Sequence, residues 1–297
     1  LLTPHLDTVP IGRGWNFAAL GAEICKNRIY GRGATDCKGN LAVGLEVLRS
    51  FREENIKLNF DLIFAATADE EAGSLYGLLP LLERKILDPD YALILDADDF
   101  DIIIAQKGLI HMKVGVCGKQ AHGAYPERGV NAINIAAELI GKIKKIKFPY
   151  RRHGLLTPPT INLGTIRGGD KVNMVADWCE FELDVRFLPG MNKDKVIKII
   201  KDTIRQKVSK LRFEITASQE PCQIDPGHIL VRSLKEACRG VVKKYSLKGS
   251  QGATVMTFFD QNNIPSVATG FGSARCAHTA NEYVSISNLI KGYQILR

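Results

Sequence analysis

His5 and Asp7 are separated by one residue at what reads as the end of an opening strand, so both side chains leave the same face. A carboxylate so placed can hold the imidazole tautomer that frees the other ring nitrogen for a metal. Alone, His-x-Asp also describes an ordinary strand-end pair. Asp36 stands in Gly31-Arg-Gly-Ala-Thr-Asp-Cys-Lys-Gly-Asn, a glycine-rich loop leading into a helix. Capping and the helix dipole would account for an acid there; alternatively the glycines let the backbone turn tightly while the carboxylate points into a cleft. Asp69, Glu70 and Glu71 follow an apolar strand at its carboxyl end, where open α/β sheets bind ligands. Three adjacent acids repel one another unless a cation neutralises them. Consecutive residues cannot share a direction, so one can bind metal while its neighbour takes a proton from water. A solvated acidic turn is the plainer reading. Asp96 and Asp98 follow the next strand in the same way, and His278 comes just after a glycine-rich strand end.

These residues need a scaffold that brings strand ends together. Phe60 to Ala68 is a continuous apolar run, expected as a strand covered on both faces of a parallel sheet, and Tyr91 to Leu95 is a second. Between them Leu75, Leu78, Leu79, Leu82 and Ile86 recur at helical spacing, as do Leu41, Leu45 and Leu48 after Gly39. Alternating strands and helices imply an α/β fold with a doubly wound, mostly parallel sheet. From about His111 the order becomes strand (111–116), helix (131–146), strands (160–166 and 179–187), helix (194–208) and strand (212–217), that of a ferredoxin-like α+β domain inserted into the α/β layer. After about Gln223 the first pattern resumes, with a helix near 228–245, a strand near 265–269 and a closing helix from Ser287. The expected division is 1–108 and 221–297 for the catalytic domain and 109–220 for a lid and dimerisation domain.

Composition removes several alternatives. The chain has 297 residues, 45% hydrophobic and 24% charged, ordinary for a folded domain pair, and no apolar run approaches the roughly 18 residues of a membrane-spanning helix. The net charge of +8 sits mainly in two expected helices, on Lys142, Lys144, Lys145 and Lys147 and on Lys193, Lys195, Lys198, Lys201, Arg205, Lys207 and Lys210. No aromatic-interleaved basic motif accompanies them, so they read as solvated faces and neither nucleic acid nor membrane is expected as a partner. Seven cysteines without a CxxC pair fit reduced thiols in the cytoplasm. The chain lacks a starting Met and opens on Leu-Leu-Thr-Pro-His, so part of the N-terminus is expected to be missing.

Taken together, His5-Leu-Asp-Thr-Val-Pro, Gly31 to Gly39, Ala68-Asp-Glu-Glu, Asp96 and Ala277-His-Thr-Ala-Asn-Glu resemble the metallopeptidase and deacylase family that includes acetylornithine deacetylase, succinyl-diaminopimelate desuccinylase, aminoacylase and glutamate carboxypeptidase. The resemblance implies two divalent ions, zinc with cobalt or manganese as alternatives, bridged by Asp36. His5 and Asp96 would complete one site, and Glu71 and His278 the other. It implies that Glu70 is the general base, that Asp7 orients His5, and that Asp96 rather than Asp98 is the ligand, given its distance before Lys107-Gly108. It also implies a homodimer in which His122 reaches into the partner's active site and steadies the oxyanion, with Asn173, Arg186 and Gly252 touching substrate.

The expected reaction is hydrolysis of the amide bond of an N-acyl amino acid or a short peptide with a free carboxylate. The rivals are a dipeptidase or aminopeptidase using the same chemistry and a non-catalytic relic. Cys37 and Asn40 stand where the family usually has Met and Gly. Val255 and Thr257 stand where the desuccinylase branch has Asp and Arg, which weakens succinyl-diaminopimelate as substrate.

Overall fold

The computed structural model describes residues 1–205 and 210–297. In chain order the elements are β1 (Leu2–Thr3), β2 (Glu23–Cys25), β3 (Arg28–Tyr30), α1 (Gly39–Glu53), α2 (Leu78–Glu83), β4 (Ala92–Leu95), β5 (Ile102–Gln106), β6 (Gly108–Cys117), α3 (Ala132–Ile143), β7 (Thr160–Gly168), β8 (Trp178–Phe187), α4 (Lys193–Ile204), β9 (Lys210–Gln219), β10 (Cys222–Gln223), α5 (Ile229–Val241), β11 (Leu247–Ser250), α6 (Met256–Gln261), β12 (Ser266–Thr269), β13 (Tyr283–Ser285) and α7 (Ile286–Leu296). They divide into two compact units: Leu1–Ala105, Gln223–Gly249 and Thr254–Arg297 form one, and Gln106–Cys222 with Ser250–Ala253 form the other. The segment Ser250–Ala253, expected with the C-terminal catalytic part, goes with the inserted unit. There the Lys107 amide donates to the Ser250 carbonyl and Gln251 accepts from the Thr157 hydroxyl.

The first unit is an α/β layer whose sheet runs β1-β4-β12-β5-β10, with β11 also on β5. β1 and β12 flank β4 in parallel, and β5 is antiparallel to β12. All four residues of β12 are buried, as a strand covered on both faces requires. Val43 and Val47 of α1, four residues apart, are buried, whereas Leu45 of the expected Leu41, Leu45 and Leu48 repeat is 48% exposed, so the helix covers a different face from the one that repeat suggested. Phe60 to Ala68 departs from expectation. It runs parallel to the opening strand through bridges Leu2–Phe64 and His5–Thr67, beyond β1 at the end of the sheet. Phe60 is 65% exposed and Ile63 37%, so this run is an edge and not a covered strand. The helix expected from Leu75 to Ile86 is confined to α2, because Ser74 is left-handed (φ 60°) and the chain turns before Leu78.

The inserted unit is a four-stranded antiparallel sheet, β7-β8-β6-β9, in the ferredoxin-like order β-α-β-β-α-β. β6 alternates strictly between buried and half-buried positions, and β8 does so after its exposed first residue, Trp178. Their buried rows, Ile110 to Val116 and Cys179 to Phe187, pack in one apolar cluster with α3 and α4. Asn131 caps α3 by accepting from the Ile133 and Asn134 amides, and Asn192 caps α4 by accepting from Lys195. Val196, Ile200 and Ile204 of α4 face the core while Lys195 and Lys198 are exposed. The expected continuation of this helix to Val208, with Lys207, lies outside the described residues. No helix among the described residues is long and apolar enough to cross a membrane.

Candidate metal centre

In the first unit the chain delivers chemistry at the carboxyl ends of neighbouring parallel strands, the edge at which this sheet class binds ligands. His5 follows β1, Glu70 and Glu71 follow the 60–68 segment, Asp96 follows β4 and His278 lies beyond β12. Asp36 arrives from the irregular turn Ala34–Lys38 ahead of α1. Gly33, at φ 81°, makes this turn possible; a Cβ there would lie 2.6 Å from the Thr8 methyl group. Gly270 has a similar role after β12, where a Cβ would come within 2.0 Å of the Ala97 carbonyl oxygen.

The two oxygens of Asp36 face different histidines. Oδ1 lies 2.9 Å from His5 Nε2, and Oδ2 lies 3.0 Å from His278 Nε2. His5 Nε2 is also 3.8 Å from Asp96 Oδ1, while His278 Nε2 is 3.1 Å from Glu71 Oε1. Ligating atoms of His5, Asp36 and Glu71 all lie within 4.8 Å of one another, as do those of His5, Cys37 and Asp96. A mixed set of imidazole and carboxylate donors at this separation suits a transition-type divalent cation. The two ends differ in access. His5 is 2% exposed, whereas the His278 side chain is 54% exposed.

The acids after the edge segment divide their work. Asp69 caps its own turn, accepting from the Tyr76 amide at 2.8 Å. Glu71 meets His278. Glu70 is left with charge neighbours, and burial followed by the charges of Asp96, Glu71 and Asp36, against His5, pushes its carboxyl up to about 8 in the metal-free protein. Burial pulls His5 down, yet hydrogen bonds to Asp36, Asp96 and Cys37 hold it far above the ordinary histidine range. Burial opposes the Asp36 carboxylate, but His5 and His278 keep it below the usual range. Burial and Asp36 raise Glu71, and His278 offsets part of that. Asp98 is raised to about 7 by burial and by Asp99, Asp36, Asp96 and Asp101.

Asp7 has a second task beyond His5. The His5 Nδ1 atom is 3.0 Å from the Asp7 carbonyl oxygen and 3.4 Å from its carboxylate. The carboxylate itself accepts from the Glu70 amide at 3.2 Å and the Glu71 amide at 3.1 Å, so it fixes the backbone of both acids. Sequence reasoning missed this, and it missed Cys37, whose fully buried sulfur accepts from the His5 amide at 3.1 Å. It also missed Glu282, which accepts from the backbone around Asp36. The only sequence signal for these three was adjacency to the His5, Asp36 and His278 motifs.

The other expected residues lie in the inserted unit. His122 and Asn173 sit on adjoining backbone: His122 bridges Met174, and the Gly123 amide donates to the Asn173 carbonyl at 2.8 Å. His122 Nδ1 accepts from the Ala124 amide at 3.0 Å. The Arg186 fork holds Asp184, with Nε at 2.7 Å and Nη2 at 3.0 Å from its two oxygens. Gly252 lies in the segment 250–253.

A family model described as peptidase family M20/M25/M40 matches residues 1–297. Acetylornithine deacetylase of Aliivibrio salmonicida (strain LFI1238) is 32% identical over 300 residues, covering 97% of this chain and 76% of the relative. The crystal structure of aminopeptidase PepT from Bacillus cereus ATCC 10987 superimposes with a TM-score of 0.80 at 25% identity, over 99% of this chain and 78% of that one. The M20 metallo-carboxypeptidase Sso-CP2 from Sulfolobus solfataricus has the same fold, with a TM-score of 0.81 at 21% identity over 99% and 82% of the two chains.

Proposed function

The chain belongs to peptidase family M20/M25/M40, metal-dependent hydrolases of amide bonds, and from that premise we propose that it removes the acyl group of an N-acyl amino acid at a centre of two divalent ions. The observation that carries this reading is the division of the Asp36 carboxylate between His5 and His278. His5, Asp36 and Asp96 would hold one ion, and Asp36, Glu71 and His278 the other. When bound, the ions supply positive charge that polarises the amide carbonyl and makes water a nucleophile at neutral pH. Zinc fits the donor set, with cobalt and manganese as working substitutes.

Glu70 takes the proton of the attacking water and passes it to the leaving amine. Its tendency to hold a proton in the metal-free protein fits a group poised for transfer near neutrality. The amides of Glu70 and Glu71 are pinned to Asp7, so base and ligand keep separate directions. In the inserted unit His122 is assigned to the oxyanion, and Asn173, Arg186 and Gly252 to the substrate. An Arg fork suits a free carboxylate, though here it must first let go of Asp184. Seven free cysteines fit a reducing compartment, and we place the enzyme in the cytoplasm as a homodimer.

The test is a substrate screen on protein loaded with zinc, cobalt or manganese, with matched N-acetyl amino acids and dipeptides. Turnover of blocked amines supports the deacylase reading. A strict requirement for a free amine transfers the chain to the aminopeptidase reading, which the PepT likeness favours.

A further inference from the structure

Glu282 is fully buried and lies four residues after His278, with no role in binding an ion or substrate in the scheme above. Both its oxygens are engaged with the turn that carries Asp36. Oε2 accepts from Arg32 Nη1 at 2.6 Å and from the Gly33 amide at 3.1 Å, and Oε1 accepts from the Thr35 amide at 2.9 Å and the Asp36 amide at 3.1 Å. Four donors, three of them backbone, thus converge on one carboxylate. Only a group that accepts at both oxygens satisfies them; an amide would set its own NH2 against an N–H.

The same stretch makes further ties to the turn. The Gly31 amide donates to the Glu282 carbonyl at 2.9 Å, the Thr35 hydroxyl donates to the Tyr283 carbonyl at 2.6 Å, and the Ser273 amide donates to the Thr35 hydroxyl at 3.0 Å. Arg32 also reaches the Ile11 carbonyl, and Asn281 accepts from the Asn16 amide. The chain segments carrying Asp36 and His278 are therefore joined through buried polar groups, and Glu282 is their centre.

We propose that Glu282 is a positioning residue for the metal centre. By clamping the backbone at Asp36 it sets one carboxylate oxygen toward His5 and the other toward His278, and it locks the His278 segment to the same turn. The inference rests on the two-ion reading. It predicts that loss of the clamp weakens ion binding itself, since outer groups that orient ligands typically contribute about 10- to 100-fold in affinity.

Cobalt(II) is titrated into metal-free full-length protein, wild type and Glu282→Gln in parallel, with calorimetry for affinity and the visible cobalt spectrum for coordination. Val47→Ala, a buried truncation on α1, serves as a control for general loss of stability. The expected result is two ions on the wild type, affinity reduced about 10- to 100-fold with an altered spectrum for Glu282→Gln, and an unchanged spectrum for Val47→Ala. Wild-type affinity and spectrum in Glu282→Gln overturn the inference while leaving the two-ion reading intact; a wild type that binds fewer than two ions overturns both. Should Glu282→Gln not fold, Glu282→Asp keeps the charge against Arg32 but shortens the reach to Thr35 and Asp36. Unchanged cobalt binding there overturns the inference equally.

Discussion

In the inserted unit, Ile110, Met112, Val114, Phe181, Leu183 and Val185 form a core with nothing to donate or accept, and the polar residues assigned to substrate lie outside it. At the ligand edge of the catalytic unit the order is reversed: Asp36, Asp7 and Glu282 hold the chain by charge-assisted hydrogen bonds from opposite ends of the sequence. The difference separates two kinds of preparation. A site that must carry several like charges is built rigid beforehand, because each acid needs its donors fixed. The residues proposed to meet substrate each hold a contact within the inserted unit, Arg186 with the Asp184 carboxylate and His122 with the Ala124 amide, which substrate would have to replace.

The largest expected effect tests the rigid side. Glu70→Gln should lower kcat by about 100-fold or more, the usual worth of a positioned general base, while metal analysis finds the wild-type ion content. If the substitution empties the centre, Glu70 is a ligand and the division of labour with Glu71 is wrong. Chelation should abolish turnover of the wild type altogether, and full activity in demonstrably metal-free protein would remove the centre from the mechanism.

On the inserted side, removing an oxyanion donor costs about 100- to 1000-fold in turnover, so His122→Ala should be nearly inactive. If His122 serves the partner's site, mixing it with Glu70→Ala and allowing subunits to exchange creates one site with both defects and one with neither. Activity should return to about half of wild type per mixed dimer, as two-fold symmetry requires. No recovery, with exchange verified separately, means that His122 acts within its own chain or not at all.

A smaller effect concerns the Arg186 contact. Arg186→Met should raise KM by about tenfold or more, the lower range for a hydrogen bond to a charged group, with kcat nearly unchanged. Asp184→Asn should move KM the other way by releasing the fork. Equal KM values in all three proteins would leave Arg186 only as half of an ion pair within β8.

The convergence of these side chains was legible in sequence because each candidate ligand sits in a short motif: His5, Glu71 and Asp96 just after strand segments, Asp36 in a glycine-rich turn ahead of α1 and His278 beyond β12. The supports were not, since they act across the chain. Asp7 holds the Glu70 amide from 63 residues away, and Glu282 holds the Asp36 amide from 246. Periodicity likewise identified the alternating strands of the inserted unit, where the pattern itself reports burial. It misjudged Phe60 to Ala68, because an apolar run says that a strand can be covered and not what lies beside it. The helix expected over 75–86 shrank to α2 because the Ser74 backbone conformation is invisible in a hydrophobic repeat.

The smallest effect asks whether the rigid side is strained when it lacks its cations. In the metal-free protein the Glu70 carboxyl is raised from 4.5 to about 8. Between those values the folded chain binds more protons at this position than the unfolded chain, so stability must fall as pH rises. The contribution is complete below the unfolded value, near 4.5, and is gone once pH has passed about 8. Glu70→Gln removes it, so the melting temperature of the metal-free wild type relative to the variant should decline from pH 5 to pH 8. A contribution of about 1 kcal/mol moves the melting temperature of a chain this size by only about 2 °C, so the two curves must be compared directly. His5 and the remaining acids are common to both proteins and largely cancel in the difference. Saturating zinc should flatten the difference, because cations beside Glu70 favour its charged form and undo the rise. A difference that stays level with pH in the metal-free protein would show that Glu70 is already solvated there, and that the poise of the base comes from the ions and not from the folded chain.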